Sequence, residues 1–413
     1  MNKRYRYILT IGLLFGTGSL LAQQPLQAYQ DTAALNNPGV LSLFKQYERA
    51  MQRVPQSGTL PDPEVGFGYF ISSVETRVGP QQATFSVSQS FPWFGELNAK
   101  SESAEERAKA VLEQFNNERS KLNFNITATY NSLYVLRSDV RITKKSIELL
   151  STFKDLARVR FESGSGSMVD VLRIEMELAE LQDQLAFLED SKQPLVVQFE
   201  ELLNTTLQGE VALPEVLWTT NISRDKEEVM DSIRVQNPSI LSLEHELLSY
   251  DKEVVAAQKE GGPDFTIGLN YTVVGENSAY TGSDNGKDAI LPTIGVRIPL
   301  YRKKYEAQIK EMELARESVV LKKEDKVNEL HTNLEKGFRD YRDAERRVAL
   351  NTSLTDYAQQ ALDILIAEYT SGETRFEEVI RMQRKLLNYE MDLEKARADQ
   401  NTAVAYVDFL MGN

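Results

Sequence analysis

The sequence has no cysteine and only two histidines. Disulfides, thiolate metal sites, a cysteine nucleophile and an N-terminal lipidated cysteine are therefore excluded. His245 and His331 sit on separate helical segments without paired ligand spacing, so they read as surface residues and no metal site follows. Positive charge is also in deficit. Lys and Arg number 47 against 61 Asp and Glu, giving a net charge of −14 and a pI near 4.9. Nucleic acid is thereby excluded as a partner, because neutralising phosphates requires a basic face. A G-x-S-x-G elbow and a phosphate-cradling Gly-Lys loop are both missing, and the nine methionines are scattered. No cofactor is implied, and the chain does not read as an enzyme. Past the N-terminus no apolar run approaches the ~20 residues a membrane helix needs. If the mature chain crosses a membrane, it does so as β-strands.

What is present is ordinary in amount: 41% hydrophobic and 26% charged residues over 413 positions, enough for two or three folded domains. Lys3, Arg4 and Arg6 precede an apolar run from Ile8 to Leu21, and Ala22 precedes a polar segment. That order describes a secretory signal peptide over residues 1–22, with cleavage after Ala22. Residues 23–36 carry no strong pattern and are expected to be mobile.

The chain repeats itself after about 200–208 residues. Asn37-Pro38 returns as Asn237-Pro238, Pro63-Glu64-Val65-Gly66-Phe67-Gly68 as Pro263-Asp264-Phe265-Thr266-Ile267-Gly268, and Phe91-Pro92 as Ile298-Pro299. Gly164 returns as Gly372, and Leu202-Leu203-Asn204 as Leu410-Met411-Gly412. We read a first repeat over 23–204, a linker over 205–232 and a second repeat over 233–413. Each repeat holds two stretches of period-two alternation, a hairpin over 64–91 and another over 264–300. Alternation of this length fits transmembrane strands, though a soluble β-hairpin gives it too.

Each hairpin is followed by a proline-free helical pattern, 95–161 and 303–369, of ~100 Å at 1.5 Å per residue. Gly/Ser clusters break these patterns, and return helices follow over 168–203 and 376–411. Val171, Leu178, Leu185 and Phe199, with Ile174, Leu181, Leu188, Leu195 and Leu202, make a 3.5-residue seam on the first return helix. Pro194 predicts a kink or break there. Charge covers the remaining faces, and adjacent acids such as Glu105-Glu106 and Glu377-Glu378 read as solvated. Residues 225–235 are expected to form a short helix.

Four strands cannot close a barrel, and an open edge in lipid leaves backbone groups unpaired. Two copies would give eight strands with a filled interior; three give twelve and a channel. The expected fold is thus a membrane α+β protein: long α-helices forming a trimeric helical tunnel, plus a 12-stranded barrel with four strands per chain. Tyr69, Phe70, Phe91, Trp93, Tyr271, Tyr280 and Tyr301 near strand ends favour the membrane over a soluble, non-transporting coiled-coil scaffold or adhesin.

The duplicated order of helix, hairpin, long helix, turn and helix resembles the TolC-like outer-membrane efflux proteins. So do the turns Arg160-Phe161-Glu162-x-Gly164-x-x-Ser167 and Tyr369-x-x-Gly372-x-x-Arg375, and the junctions at Pro92 and Pro299. Leu60-Pro61-Asp62-Pro63, followed by Gln89-Ser90-Phe91-Pro92-Trp93-Phe94-Gly95, looks more like the heavy-metal-efflux branch. The resemblance implies a homotrimer in the outer membrane of a Gram-negative bacterium, with its helices in the periplasm. It also implies a periplasmic membrane-fusion adaptor and an inner-membrane pump of RND or ABC type, or a type I secretion system. By the same resemblance, Asp170 and Glu378, six residues past the tip glycines, would line a tunnel gate together with Tyr369. Arg173 and Arg381 stand where the family can carry an acid. Arg160, Gly164, Ser167, Gly372 and Arg375 would dock the adaptor.

Overall fold

The computed structural model describes residues 19–371 and 375–413; the signal-peptide expectation falls, for residues 1–18, outside the described residues. In chain order the elements are α1 (Ser19–Asn36), α2 (Pro38–Met51), α3 (Arg53–Gly58), β1 (Glu64–Thr76), β2 (Gly79–Phe91), α4 (Glu96–Glu162), α5 (Met168–Asp190) and α6 (Lys192–Leu203). The second half follows with α7 (Lys226–Gln236), α8 (Pro238–Glu260), β3 (Asp264–Val274), β4 (Ala289–Arg297), α9 (Arg302–Ser371) and α10 (Phe376–Met411). The described residues cluster into two compact units that cut across the repeats. One gathers the described residues up to Leu41, Asn116–Asn237 and those from Glu329 to Asn413; the other gathers Ser42–Phe115 and Pro238–Asn328. Helices α4 and α9, of 67 and 70 residues, each run from the second grouping into the first.

The unit that holds the sheet is built on one antiparallel order, β1-β2-β3-β4. Register sorts its side chains into two unlike faces. On one lie Val65, Phe67 and Tyr69, then Phe85 and Val87, then Phe265, Ile267, Leu269 and Tyr271, then Ile290, Ile294 and Val296. The opposite face carries Gly66, Gly68, Thr84, Ser86, Ser88, Thr266, Gly268, Asn270, Thr272, Thr293 and Gly295. Most of the large apolar residues are exposed, so nothing among the described residues covers that face. Strand β4 ends at Arg297, three residues short of the alternation read from sequence, and Pro299 lies in the connection to α9. Pro292 sits in β4, an edge strand, where a missing N–H is tolerated.

The β3–β4 loop folds over the β1–β2 turn. Arg77 pairs with Asp284 at 2.7 Å and lies 5.3 Å from the Tyr280 ring centre, and the Gly286 N–H donates to the Val78 carbonyl at 2.7 Å. Gly79, at φ +136°, has no room for a Cβ, which would stand 1.6 Å from the Gly275 carbonyl oxygen. At the junction after β2, Pro92 leads into Trp93, which stacks on Phe265 with ring centres 6.0 Å apart. In this unit α8 lies along α4: Ser103 and Ser249 hydroxyls are 3.0 Å apart, and Arg107 pairs with Glu253 at 2.5 Å. His245 is not a free surface residue, because its Nδ1 stands 2.7 Å from Glu106. Burial would raise the Glu106 carboxyl pKa, but hydrogen bonds from Lys109 and His245 outweigh it and hold it low.

In the other unit the duplication shows as paired contacts. The Asn37 amide donates to the Leu202 carbonyl at 3.0 Å, and the Asn237 amide to the Leu410 carbonyl at 2.9 Å. The two return helices stop alike, at left-handed Asn204 (φ 49°) and Gly412 (φ 87°). Each then closes six-to-one, Thr205 N–H to Glu200 and Asn413 N–H to Asp408.

One expectation needs correction here. The stretch 23–36 belongs to helix α1, with Leu26 and Ala33 buried and Tyr29 edge-on to Phe199 at 5.1 Å. The first return helix does break near Pro194, at Ser191, which leaves Pro194 in the first turn of α6, where its missing N–H is harmless. Helix α7, Lys226–Gln236 with Asp225 as its cap, is the short helix expected over 225–235. The rest of the linker is pinned by side chains of α4 and α10. Asn401 accepts from the Thr220 N–H at 3.0 Å and donates to the Trp218 carbonyl at 2.6 Å, and the Tyr130 hydroxyl donates to the Ala212 carbonyl at 2.9 Å. Burial first, with Tyr29 adding, pushes the Tyr130 pKa up to about 12 against the pull of Arg137.

Asp139 on α4 has a buried carboxylate oxygen without a hydrogen-bond partner. Burial, reinforced by Asp392 and Glu394 against Lys395, raises its pKa to about 6. A folded-state pKa above the unfolded 3.8 means that the charge opposes folding above pH ~6. That penalty is relieved as pH falls from about 6 toward 4. Asp139→Asn should therefore melt a few degrees above the natural chain at pH 8, with the gap closing near pH 4.5, read by helix circular dichroism.

Candidate functional site: the paired hairpin tips

The first tip is shaped by residues that tolerate tight backbone. Helix α4 ends with Ser163 N–H on the Val159 carbonyl and Ser165 N–H on the Arg160 carbonyl. Gly164 takes φ +75°, and Gly166 passes so close to α4 that a Cβ would stand 2.9 Å from the Arg160 Cβ. Ser167 then caps α5, its hydroxyl accepting from the Val169 N–H at 3.1 Å. At the second tip α9 runs to Ser371 and α10 starts after Arg375, which is extended, exposed and makes no side-chain cap. Gly372 lies outside the described residues.

Arg160 joins the tips. Its guanidinium donates to the Ser165 carbonyl of its own tip at 3.3 Å and to the Tyr369 carbonyl of the other. It also stacks 4.6 Å from the Tyr369 ring centre. Tyr369 is buried and packs on Phe376, with ring centres 5.0 Å apart, and Phe376 meets Phe153 edge-on at 5.9 Å. Burial and then the Asp170 carboxylate raise the Tyr369 hydroxyl pKa, with Arg160 opposing. Arg160, Tyr369 and Asp170 thus form one group.

The other residues expected at the gate pair in two further sets. Arg173 bonds Glu377 at 3.2 Å across the return helices, so this acid is engaged rather than freely solvated. Glu378 is held by Arg381 one turn along α10. Below them sits a pair that the sequence reading missed. Glu177, almost fully buried, accepts from Arg384 at 2.6 Å, and Arg384 reaches Glu180 at 3.2 Å. These residues, with Met176, Ile380 and Lys385, line a groove of about 460 Å³ between α5 and α10. A signal was available: Glu177 directly precedes the seam residue Leu178, where an acid needs a partner. Under the tips runs a core that includes Phe153, Ala157, Ile174, Leu178, Leu362, Val379 and Leu386.

Comparison with known proteins fits this arrangement. The profile described as Outer membrane efflux protein matches residues 29–205 and 229–413. The chain belongs to that family. No curated protein matches it. Among solved structures, the chain resembles the outer membrane protein VceC of Vibrio cholerae at 16% identity and TM-score 0.76, covering 95% of this chain and 98% of that one. It also resembles CusC at 14% identity and TM-score 0.77, covering 97% and 95%. The open-state MtrE channel of Neisseria gonorrhoeae follows at 14% and 0.75, covering 94% and 89%. The chain is an outer-membrane efflux channel of the Gram-negative type rather than an enzyme. No helix among the described residues is long and apolar enough to span a membrane.

Removing Arg384 leaves the Glu177 carboxylate buried without its partner. Arg384→Ala should cost about 2–3 kcal/mol. Arg384→Ala combined with Glu177→Gln should recover most of that loss in denaturant titrations of the helical signal.

Proposed function

We propose that three copies of this chain assemble an exit duct through the outer membrane. The observation that carries this reading is the sheet: four strands with one apolar, uncovered face, a hydroxyl-rich opposite face and two unpaired edges. In hydrocarbon each unpaired backbone group costs several kcal/mol, so β1 and β4 need strands from other copies. Three copies supply twelve strands and leave a lumen, with the apolar face toward lipid. The long helices wall the periplasmic part of the conduit. A soluble collar, as in a scaffold or adhesin, would leave the apolar face in water.

Cargo reaches the duct from a periplasmic adaptor and an inner-membrane pump of RND or ABC type, or from a type I secretion system. The junction residues around Pro92 and the Leu60-Pro61-Asp62-Pro63 segment favour a pump of the heavy-metal-efflux kind. The adaptor meets the tips, at Arg160, Gly164, Ser167, Gly372 and Arg375. Asp170 and Glu378 place carboxylates on the lumen side of the constriction. Tyr369, Arg173 and Arg381 hold it shut through the Arg160–Tyr369 contact and the Arg173–Glu377 and Arg381–Glu378 pairs.

Two experiments test the reading. An arginine on the lipid side at mid-membrane costs about 2–4 kcal/mol. Ile294→Arg should therefore abolish recovery of detergent-extracted trimer from outer membranes, while Thr293→Arg on the other face should not. Equal recovery of both variants would reject the membrane role of the apolar face. For the gate, Asp170→Ala with Glu378→Ala should raise single-channel conductance in planar bilayers or weaken block by divalent cations. Unchanged current traces would remove both residues from the gate.

A further inference from the structure

A groove of about 430 Å³ lies where the linker meets α4 and α10, beside α1. Its volume is that of a small-ligand site. The lining is unlike the rest of this highly charged chain. It contains no lysine, arginine or histidine, and Asp408 is its one acidic side chain. Amides and hydroxyls stand there instead, among them Gln30 of α1, Asn123 and Asn131 of α4 and Thr220 of the linker, beside the Trp218 indole. Bonds within the chain hold the walls. Asn401 fixes the linker at Trp218 and Thr220, and the Gln30 amide donates to the Thr127 hydroxyl at 3.1 Å. One group is left over. Asn131 is 2% exposed, and its Nδ2 donates to the Thr402 hydroxyl at 2.9 Å and to the Ala398 carbonyl at 3.4 Å. A carbonyl only accepts, which fixes the orientation of the amide, and the buried Oδ1 has no partner. A buried acceptor without a donor is costly to keep.

We propose that this groove binds a neutral sugar bearing acetamido groups. An anion would find no cation in the lining, and an apolar ligand would leave the amides unpaired. A lone carboxylate does not make a divalent-cation site, and the described residues contain no cluster of three or more acids and histidines that could hold a metal. A sugar fits each part of the lining. Its hydroxyls both donate and accept, which suits side-chain amides and a single carboxylate. Its C–H face packs on an indole, here that of Trp218. The acetamido N–H supplies the donor that Asn131 Oδ1 lacks. Such a sugar arrives either free or as one residue of a glycan strand, and the two sources differ in how affinity grows with chain length. The site needs only residues of one chain, so it stands apart from the number of copies in the assembly and from the hairpin tips.

The chain has two tryptophans, and only Trp218 lines the groove; Trp93 packs on Phe265 in the other unit. Indole emission of the full chain, in a detergent without a sugar headgroup, is followed during titration with N-acetylglucosamine, its β-1,4-linked trimer and maltotriose. The acetamido trimer should shift the emission with a Kd of about 1 mM or tighter. Maltotriose should not, and Trp93→Phe should preserve the shift. Asn131→Leu should weaken binding about fivefold, the loss of one hydrogen bond. Asn123→Ala, at a half-buried position of the same groove, should weaken it too and keeps the test open if Asn131→Leu fails to fold. Tighter binding of the trimer than of the single sugar assigns a glycan strand, and equal affinities assign a free sugar. An equal response to maltotriose would overturn acetamido recognition. No response to any of the sugars, or binding undiminished in both groove variants, would remove the site altogether.

Discussion

Unpaired backbone at the two edges of a four-stranded sheet is the constraint on which the rest depends. Strands β1 and β4 each offer a row of N–H and C=O groups, and the sheet between them turns an apolar face outward. Water could satisfy those edges but not that face; hydrocarbon could accept that face but not those edges. Further copies of the same sheet, as proposed above, would resolve both demands. Pro292 adds a condition, because its position on β4 must fall where no donor is required by the neighbouring strand. Register between copies is thereby restricted before any side chain is considered.

Duplication supplies the same economy in the helices. The Asn37 and Asn237 amides perform one task at two places, as do the left-handed stops at Asn204 and Gly412. The tips have diverged instead. Arg160 reaches across to Tyr369, whereas the repeat image of Arg160 is Glu368. One tip therefore clasps the other within a chain, and no equivalent clasp can form in the opposite sense. A duplicated chain that differentiates in this way has two distinguishable hairpins.

Much of this was legible in the sequence because periodicity is a property of long elements. Period two in the strands, the proline-free lengths of α4 and α9, and the Gly/Ser breaks all persist over enough residues to outweigh local exceptions. What escaped was decided by single tertiary contacts. The α1 segment looked featureless, yet Tyr29 against Phe199 and Leu26 in the core give it a place. Pro194 signalled a break but not its place, since a proline is at home in a helix's first turn and the break fell at Ser191. At the tips, Arg160, Tyr369 and Asp170 come together as a group, while Glu378 pairs locally with Arg381. The Glu177–Arg384 pair was hidden because its members lie 207 positions apart on two different return helices, and no periodicity within either helix signals a contact between them.

The polar face of the sheet bears on what such a duct can choose. Between its ends it presents hydroxyls, one amide, bare glycine backbone and, opposite Asn270, the exposed Leu291 side chain, with Glu64 and the Asp264–Arg297 pair confined to the strand ends. Gly66 and Gly68 leave so little room that an added Cβ would press on the Ser86 or Thr84 hydroxyl. If this face lines the lumen, as proposed above, the lining is electrically neutral between the strand ends. It would offer a passing solute no counter-charge there, leaving chemical discrimination to whatever loads the other end.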